Sequence, residues 1–284
     1  MSYLTLDPKE TPTPQLQAYL QGAIAPRPIA FASTIDKNGI VNLSPFSFFN
    51  MFSTRPPILI FSPSRRVRDN TTKHTLQNVT EVPEVVINIV NYNMVEQASL
   101  ASCEYPKGVN EFVKAGLTEL PSVKVKPPRV AESPASFECK VNQAILLGDK
   151  GGAGNLIVCE ILLAHFSKAI LDPSQNIDPQ KLDAVARMGG DFYCRAYGEN
   201  IFTVPKPNTK LGIGFDQLPV SIRNSKVLSG NDLARLANVE MLPDFKSLAS
   251  LSAQDEEKLH HLAKRFLAEG KIEEAWKVLL NTDH

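Results

Sequence analysis

Short apolar segments whose side chains alternate at a period of two, each closed by turn-forming residues, recur from residue 28 to residue 166. In residues 28–35 the side chains of Ile29, Phe31 and Ile35 fall on one face, with small residues between them. Asn38-Gly39 follows, a pair that tolerates positive φ and marks a hairpin, and a second strand is expected to begin at Ile40. Residues 57–62 and 85–90 are short, apolar and β-branched. Residues 137–142 alternate, and residues 156–166 form a long apolar run. The glycine-rich segment 148–155 is predicted to join these last two as a flexible hairpin loop. Helices are predicted over residues 71–82, with Asp69 or Thr71 as cap and Pro83 as stop, and over residues 94–100, capped by Asn93. This order lacks the βαβ alternation of a doubly wound nucleotide-binding sheet. Many antiparallel strands at short spacing, with a few inserted helices, predict a mainly β fold closed into a barrel.

After Pro207 the pattern changes, which places a first domain at residues 1–207 and a helical C-terminal extension at residues 208–284. A helix is expected at residues 230–237. Leu259, Leu262, Ala263 and Phe266 then mark one helical face, Gly270 breaks it, and Ile272, Ala275, Trp276 and Leu279 mark the next. The expected product is a helical hairpin packed on the barrel or on a neighbouring subunit.

Lys plus Arg and Asp plus Glu both number 30, so no overall field draws the chain to nucleic acid or to a membrane. No apolar run approaches the length of a bilayer span, and the N-terminal residues carry no secretion or transit pattern. The four cysteines are far apart, without a CxxC pair. They are read as reduced thiols of a cytoplasmic protein, with Cys139 and Cys159 in core strands.

Two segments carry candidate chemistry. In Asn42-Leu-Ser44-Pro45-Phe46-Ser47-Phe48-Phe49-Asn50 a strand runs into Pro45, which is expected to stop ladder pairing, and small hydroxyl residues alternate with phenylalanines. Such a loop offers a flat heteroaromatic ring an apolar surface for its face and backbone donors for its edge. The same pattern also suits a barrel corner whose phenylalanines fill the core. The second segment, residues 62–78, sets Ser62, Ser64, three arginines, Lys73, Thr75 and other hydroxyl residues between a strand end and a helix start. Helix N-termini and guanidinium groups both favour phosphate, although a solvated charged loop has the same composition.

Other signals are weaker. Segment 148–155 has strands on both sides and no helix to complete a phosphate loop. His165 lies at a strand end, and the adjacent pair His260-His261 points in different directions on a helix, unlike a metal pair. Arg187-Met188-Gly189-Gly190 follows a helix opened by Asp178-Pro179, with the glycines expected as its C-cap. No Ser-His-Asp or Cys-His arrangement is legible.

Across residues 25–197 the chain resembles the flavin reductase-like, FMN-binding split β-barrel proteins. The resemblance rests on Arg27-Pro-Ile-Ala-Phe-Ala-Ser33-Thr34, Asn42-Leu-Ser-Pro-Phe-Ser47, Lys73-His74-Thr75-Leu-Gln-Asn78, Glu111-Phe-Val-Lys-Ala-Gly-Leu117-Thr118 and Arg187-Met-Gly-Gly190, in that order. It implies FMN as cofactor, with the ring against Asn42, Ser44, Pro45, Phe46, Ser47 and Phe48, and the phosphate near Ser62, Arg66, Lys73 and Thr75. It places the run at Arg187, with Tyr193, near the flavin or nicotinamide. It also implies a homodimer, NAD(P)H as reductant, hydride transfer to the flavin N5, and a monooxygenase or other acceptor as partner. The alternative is an FMN-binding electron carrier or docking module without nicotinamide turnover. Many relatives have Lys-Asp-Thr where this chain has Lys73-His74-Thr75. The extension resembles one found in only a subset of relatives.

Overall fold

Alternation in the first part of the chain becomes a seven-stranded antiparallel sheet. The computed structural model describes residues 2–207, 210–243 and 253–280, and the chain divides into two compact units after Phe202. In the first unit the elements run α1 (Thr13–Ala23), β1 (Ala30–Ile35), β2 (Val41–Phe46), β3 (Phe49–Thr54), β4 (Pro57–Phe61), α2 (His74–Glu81), β5 (Glu84–Ile89), α3 (Val95–Leu100) and α4 (Glu111–Ala115). The short pair β6 (Glu119–Leu120) and β7 (Arg129–Val130) follows, then the long hairpin β8 (Ala135–Leu146) and β9 (Asn155–Phe166), α5 (Pro179–Leu182), and a small hairpin of β10 (Val185–Arg187) and β11 (Tyr193–Arg195).

The large sheet has the order β2-β1-β5-β8-β9-β4-β3. Its two edge strands, β2 and β3, are consecutive in the chain and joined by Ser47 and Phe48 alone. Such a link reaches about 11 Å at most, so the sheet must curl until its edges face one another, which makes a split barrel. Strand β1 is buried on both faces. Ala30 and Ala32 enter the barrel interior with Phe61, Ile87, Cys139 and Ile157, while Phe31 joins Leu43, Met94 and Phe112 on the outer face, under α3 and α4. Helix α2 adds Leu76 and Val79 to the interior. Burial pushes the Cys139 thiol up to about 12, so this core cysteine stays protonated.

Several expectations are corrected. Pro45 does not end β2: it pairs opposite Phe31, because β2 is an edge strand and loses no ladder bond to the missing N–H. Phe49 and Asn50, expected in the loop, instead open β3. Helix α2 starts at His74 rather than at residue 71. Asp69 Oδ1 instead accepts from the Thr71 amide and hydroxyl, which closes a turn where a helix cap was expected. Asp178 caps α5 by accepting from the amides of Gln180 and Lys181, but α5 ends at Leu182, and Gly189 and Gly190 lie in the turn of the β10–β11 hairpin. Helix α1 was not anticipated, although Pro14 in its first turn is a start signal.

The second unit holds α6 (Val220–Arg223), α7 (Gly230–Ala237), α8 (Ala253–Ala268) and α9 (Ile272–Leu279). Ser229 and Asp232 form a capping box on α7, and Gly270, at φ 76°, makes the turn between α8 and α9. Leu236, Ala263, Leu267 and Trp276 are central to its own core. Leu262 faces out and Leu267 takes its place inside.

Candidate functional site

Three segments far apart in sequence meet through one buried chain of hydrogen bonds. The Thr75 hydroxyl donates to Asn42 Oδ1 at 2.9 Å, Asn42 Nδ2 donates to Glu111 Oε1 at 2.8 Å, and the Leu43 amide donates to Glu111 Oε2 at 2.9 Å. Together these bonds pin β2 between α2 and α4. Burial raises the Glu111 pKa, against the lowering effect of the donors that face it.

Next to this chain, the loop between β4 and α2 is held by its own arginines. Arg65 binds the side-chain and backbone oxygens of Asn70. Arg66 donates from Nη1 to the Thr71 hydroxyl and the Thr72 carbonyl, and from Nε to Glu104 Oε1 at 2.9 Å. Arg68 reaches the other oxygen of Glu104 at 2.7 Å. The Lys73 ammonium has no acceptor among the described residues. Burial, and then the neighbouring Arg66, push its pKa down. The hydroxyl of Ser64 is buried and unpartnered. Among the described residues these four cations (Arg65, Arg66, Arg68 and Lys73) form ion pairs only with Asp69 and Glu104, and an excess of positive charge is left over.

The glycine-rich segment 148–155 is pinned, contrary to the expected flexible loop, and serves as the buttress of the arginine loop. Arg65 N donates to the Ala153 carbonyl and Gly152 N to the Arg65 carbonyl. Asn155 donates from its amide to the Ser62 hydroxyl and from Nδ2 to the Pro63 carbonyl. A Cβ on Gly151 would stand 3.0 Å from the carbonyl oxygens of Arg66 and Val67, so glycine is what permits this approach.

Arg27 secures the other side of the site. Its guanidinium donates to the carbonyls of Gln21, Ile24 and Met188, reaches the Ser47 hydroxyl at 3.5 Å, and lies 5.9 Å from the Phe48 ring centroid. It thereby ties α1 and the β10–β11 hairpin to the two-residue link of the barrel.

All ten residues selected from the sequence line one of two adjoining hollows. Pro45, Phe46, Ser47, Phe48 and Ser62 line an open groove of about 400 Å³, within the range of small-molecule sites. Asn42, Ser44 and Thr75 line a small polar recess of about 20 Å³. Arg66 and Lys73 line both, and so does Glu104. The phenylalanines divide: Phe46 is buried and packs on Phe61 in the core, whereas Phe48 is 40% exposed. Asn42 and Thr75 spend polar groups on each other and on Glu111. Sequence reasoning missed Gln17 and Gln21 of α1, which line the groove, together with Arg27, Glu104 and Glu111 in their bonding roles. Arg27 and Glu111 belong to the motifs quoted above, but nothing in the sequence distinguishes Glu104.

His165 is not free: it meets the buried carboxylate of Glu138 at 2.7 Å, which also accepts from the amides of Val123 and Lys124 and holds that loop. His260 hydrogen-bonds Ser225. Among the described residues no cluster is arranged to hold a metal ion, and no helix is long and apolar enough to cross a membrane.

The sequence profile of the flavin reductase like domain matches residues 23–175, more than half of the chain. The chain belongs to the flavin reductase like family. A protein of Aquifex aeolicus is 41% identical over 191 residues, which span 67% of this chain and 95% of that one. Nitrilotriacetate monooxygenase component B from Bacillus cereus superposes with a TM-score of 0.66 at 27% identity, over 72% of this chain and all of that one. A Shewanella frigidimarina structure described as a flavin reductase with a split barrel domain gives 0.59 at 25% identity, over 70% and 95%. This flavin reductase like protein is accordingly a split-barrel, flavin-related oxidoreductase.

Proposed function

We propose that the protein binds FMN and reduces it with NAD(P)H. The observation that carries this reading is the juxtaposition of the two hollows: unspent donors and excess positive charge at Ser64, Arg66 and Lys73 adjoin the groove at Pro45 to Phe48. A terminal phosphate supplies the acceptors and the negative charge that this corner lacks. We assign the phosphate to Ser62, Ser64, Arg66 and Lys73, and the ring to Pro45, Ser47 and Phe48. Asn42, Ser44, Phe46 and Thr75 shape the wall behind them. When bound, FMN supplies N5 as the hydride acceptor. The residues of the chain position the ring: Phe48 offers an apolar surface, backbone amides between Ser44 and Phe48 meet its polar edge, and Arg27 holds the link still.

A monooxygenase partner as electron acceptor is supported by the likeness to the Bacillus cereus protein, which is named as component B of a monooxygenase. A homodimer is supported by exposed apolar side chains on the two strands that flank β4, Met51 and Phe52 on β3 and Leu162 and Phe166 on β9. The test is the absorbance spectrum of the purified protein, identification of the extracted flavin, and stopped-flow mixing with NADH and NADPH. FMN absorbance that bleaches faster than free FMN supports the proposal. A protein that takes up no FMN refutes it, and one that keeps FMN without bleaching removes the nicotinamide step.

A further inference from the structure

Glu104 occupies an unusual position. It lies on the loop between α3 and α4, its side chain is 46% exposed, and its two oxygens each take one guanidinium, Arg66 at 2.9 Å and Arg68 at 2.7 Å. With Arg66 and Lys73 it forms the partition between the polar recess and the open groove. A carboxylate bridging two arginines satisfies the donors that a phosphate would satisfy. Unlike the carboxylate of Glu111, it is held by nothing else among the described residues: no backbone amide of theirs donates to it, and it is not packed in the core. It can rotate into solvent at little cost.

We infer that Glu104 stands in for the phosphate of a phosphorylated ligand and competes with it for Arg66, so that the phosphate displaces it on binding. The inference rests on the flavin site proposed above. The exchange leaves Arg66 paired before and after, while Arg68 keeps Asp69, so a phosphate monoester exchanges one anion for another. A ligand without phosphate would have to strip Glu104 from both arginines and return nothing, or leave the partition in place and occupy the groove alone. Displacement also joins the recess to the groove, which makes one continuous cavity of the two hollows that hold all ten residues selected from the sequence. Lys73 belongs to both compartments and gains an acceptor in the same step.

The test compares FMN with riboflavin, which differ only in the phosphate, by fluorescence titration of the full-length protein and its Glu104→Gln and Glu104→Ala variants. Loss of the internal competitor is expected to tighten FMN binding by roughly tenfold in both variants and to leave riboflavin affinity unchanged. A crystal structure with FMN is expected to show Glu104 withdrawn beyond 4 Å from Arg66, with a phosphate oxygen in its place. FMN bound with the Arg66–Glu104 pair intact, weaker FMN binding in the variants, or equal shifts for FMN and riboflavin would each overturn the inference. If the unmodified protein binds neither flavin, it is the proposed function that fails. Circular dichroism and a thermal melt establish that both variants are folded.

Discussion

Two polar clusters stand side by side in the barrel unit, and they are built on opposite terms. In the chain through Thr75, Asn42 and Glu111 each carboxylate oxygen of Glu111 has a donor, and both ends of the Asn42 amide are engaged. In the loop from Ser62 to Lys73 the arginines hold the backbone, yet a hydroxyl and an ammonium are left without acceptors. A buried network whose capacity is spent serves the fold. One with capacity left over, beside a groove, is prepared for a guest. Residue type does not separate the two, since both contain hydroxyl groups, an acid and amides.

Substitutions can break that contrast. The largest effect is expected from Glu111→Ala, which strips the acceptor from two buried donors. It should cost about 2–5 kcal/mol of stability, read as a lowered urea midpoint of the barrel transition. Lys73→Met should do the reverse. It removes a desolvated charge with no partner, so stability holds within about 0.5 kcal/mol, while FMN affinity falls roughly ten- to hundredfold by titration. Equal damage to folding and binding in either variant would erase the distinction.

A smaller effect distinguishes the clusters by pH. Burial holds Glu111 above its ordinary value of 4.5, so the folded protein keeps a proton that the unfolded chain has already released. Stability therefore falls as pH rises from 4.5 through the raised value. Glu111→Gln is expected to flatten that stretch of a denaturant-midpoint-against-pH curve. The mildest change is Gly151→Ala, whose new methyl group presses on the Arg66 and Val67 carbonyls. A shift of a few tenths of an ångström in the arginine loop should weaken FMN binding about threefold and barely move the melting temperature.

The barrel was legible where alternation is strong, as in β1 and β8, or where a long apolar run marks the strand, as in β9. It was obscured at β3, where Phe49-Asn-Met-Phe-Ser-Thr54 mixes polar and aromatic residues on a half-solvated edge. Pro45 misled for a related reason: a proline reports a missing donor, but whether that donor was needed depends on which strand lies beside it. The start of α2 moved because Asp69 and Thr71, both good caps, are consumed by a local turn. The site was legible as a set of residue types. What sequence could not show is how their bonds are allocated: that Thr75 turns to Asn42, that the glycines of 148–155 exist to let one loop touch another, or that Glu104, some forty positions away, would come to rest between two arginines.

The link of Ser47 and Phe48 has a mechanical consequence. It works as a hinge pin between the first and last staves of a hoop that no ladder closes. A rigid planar guest lying along that seam would brace it, much as a wedge tightens a split ring. Occupancy should then slow hydrogen exchange in β2 and β3 well away from any atom the guest touches.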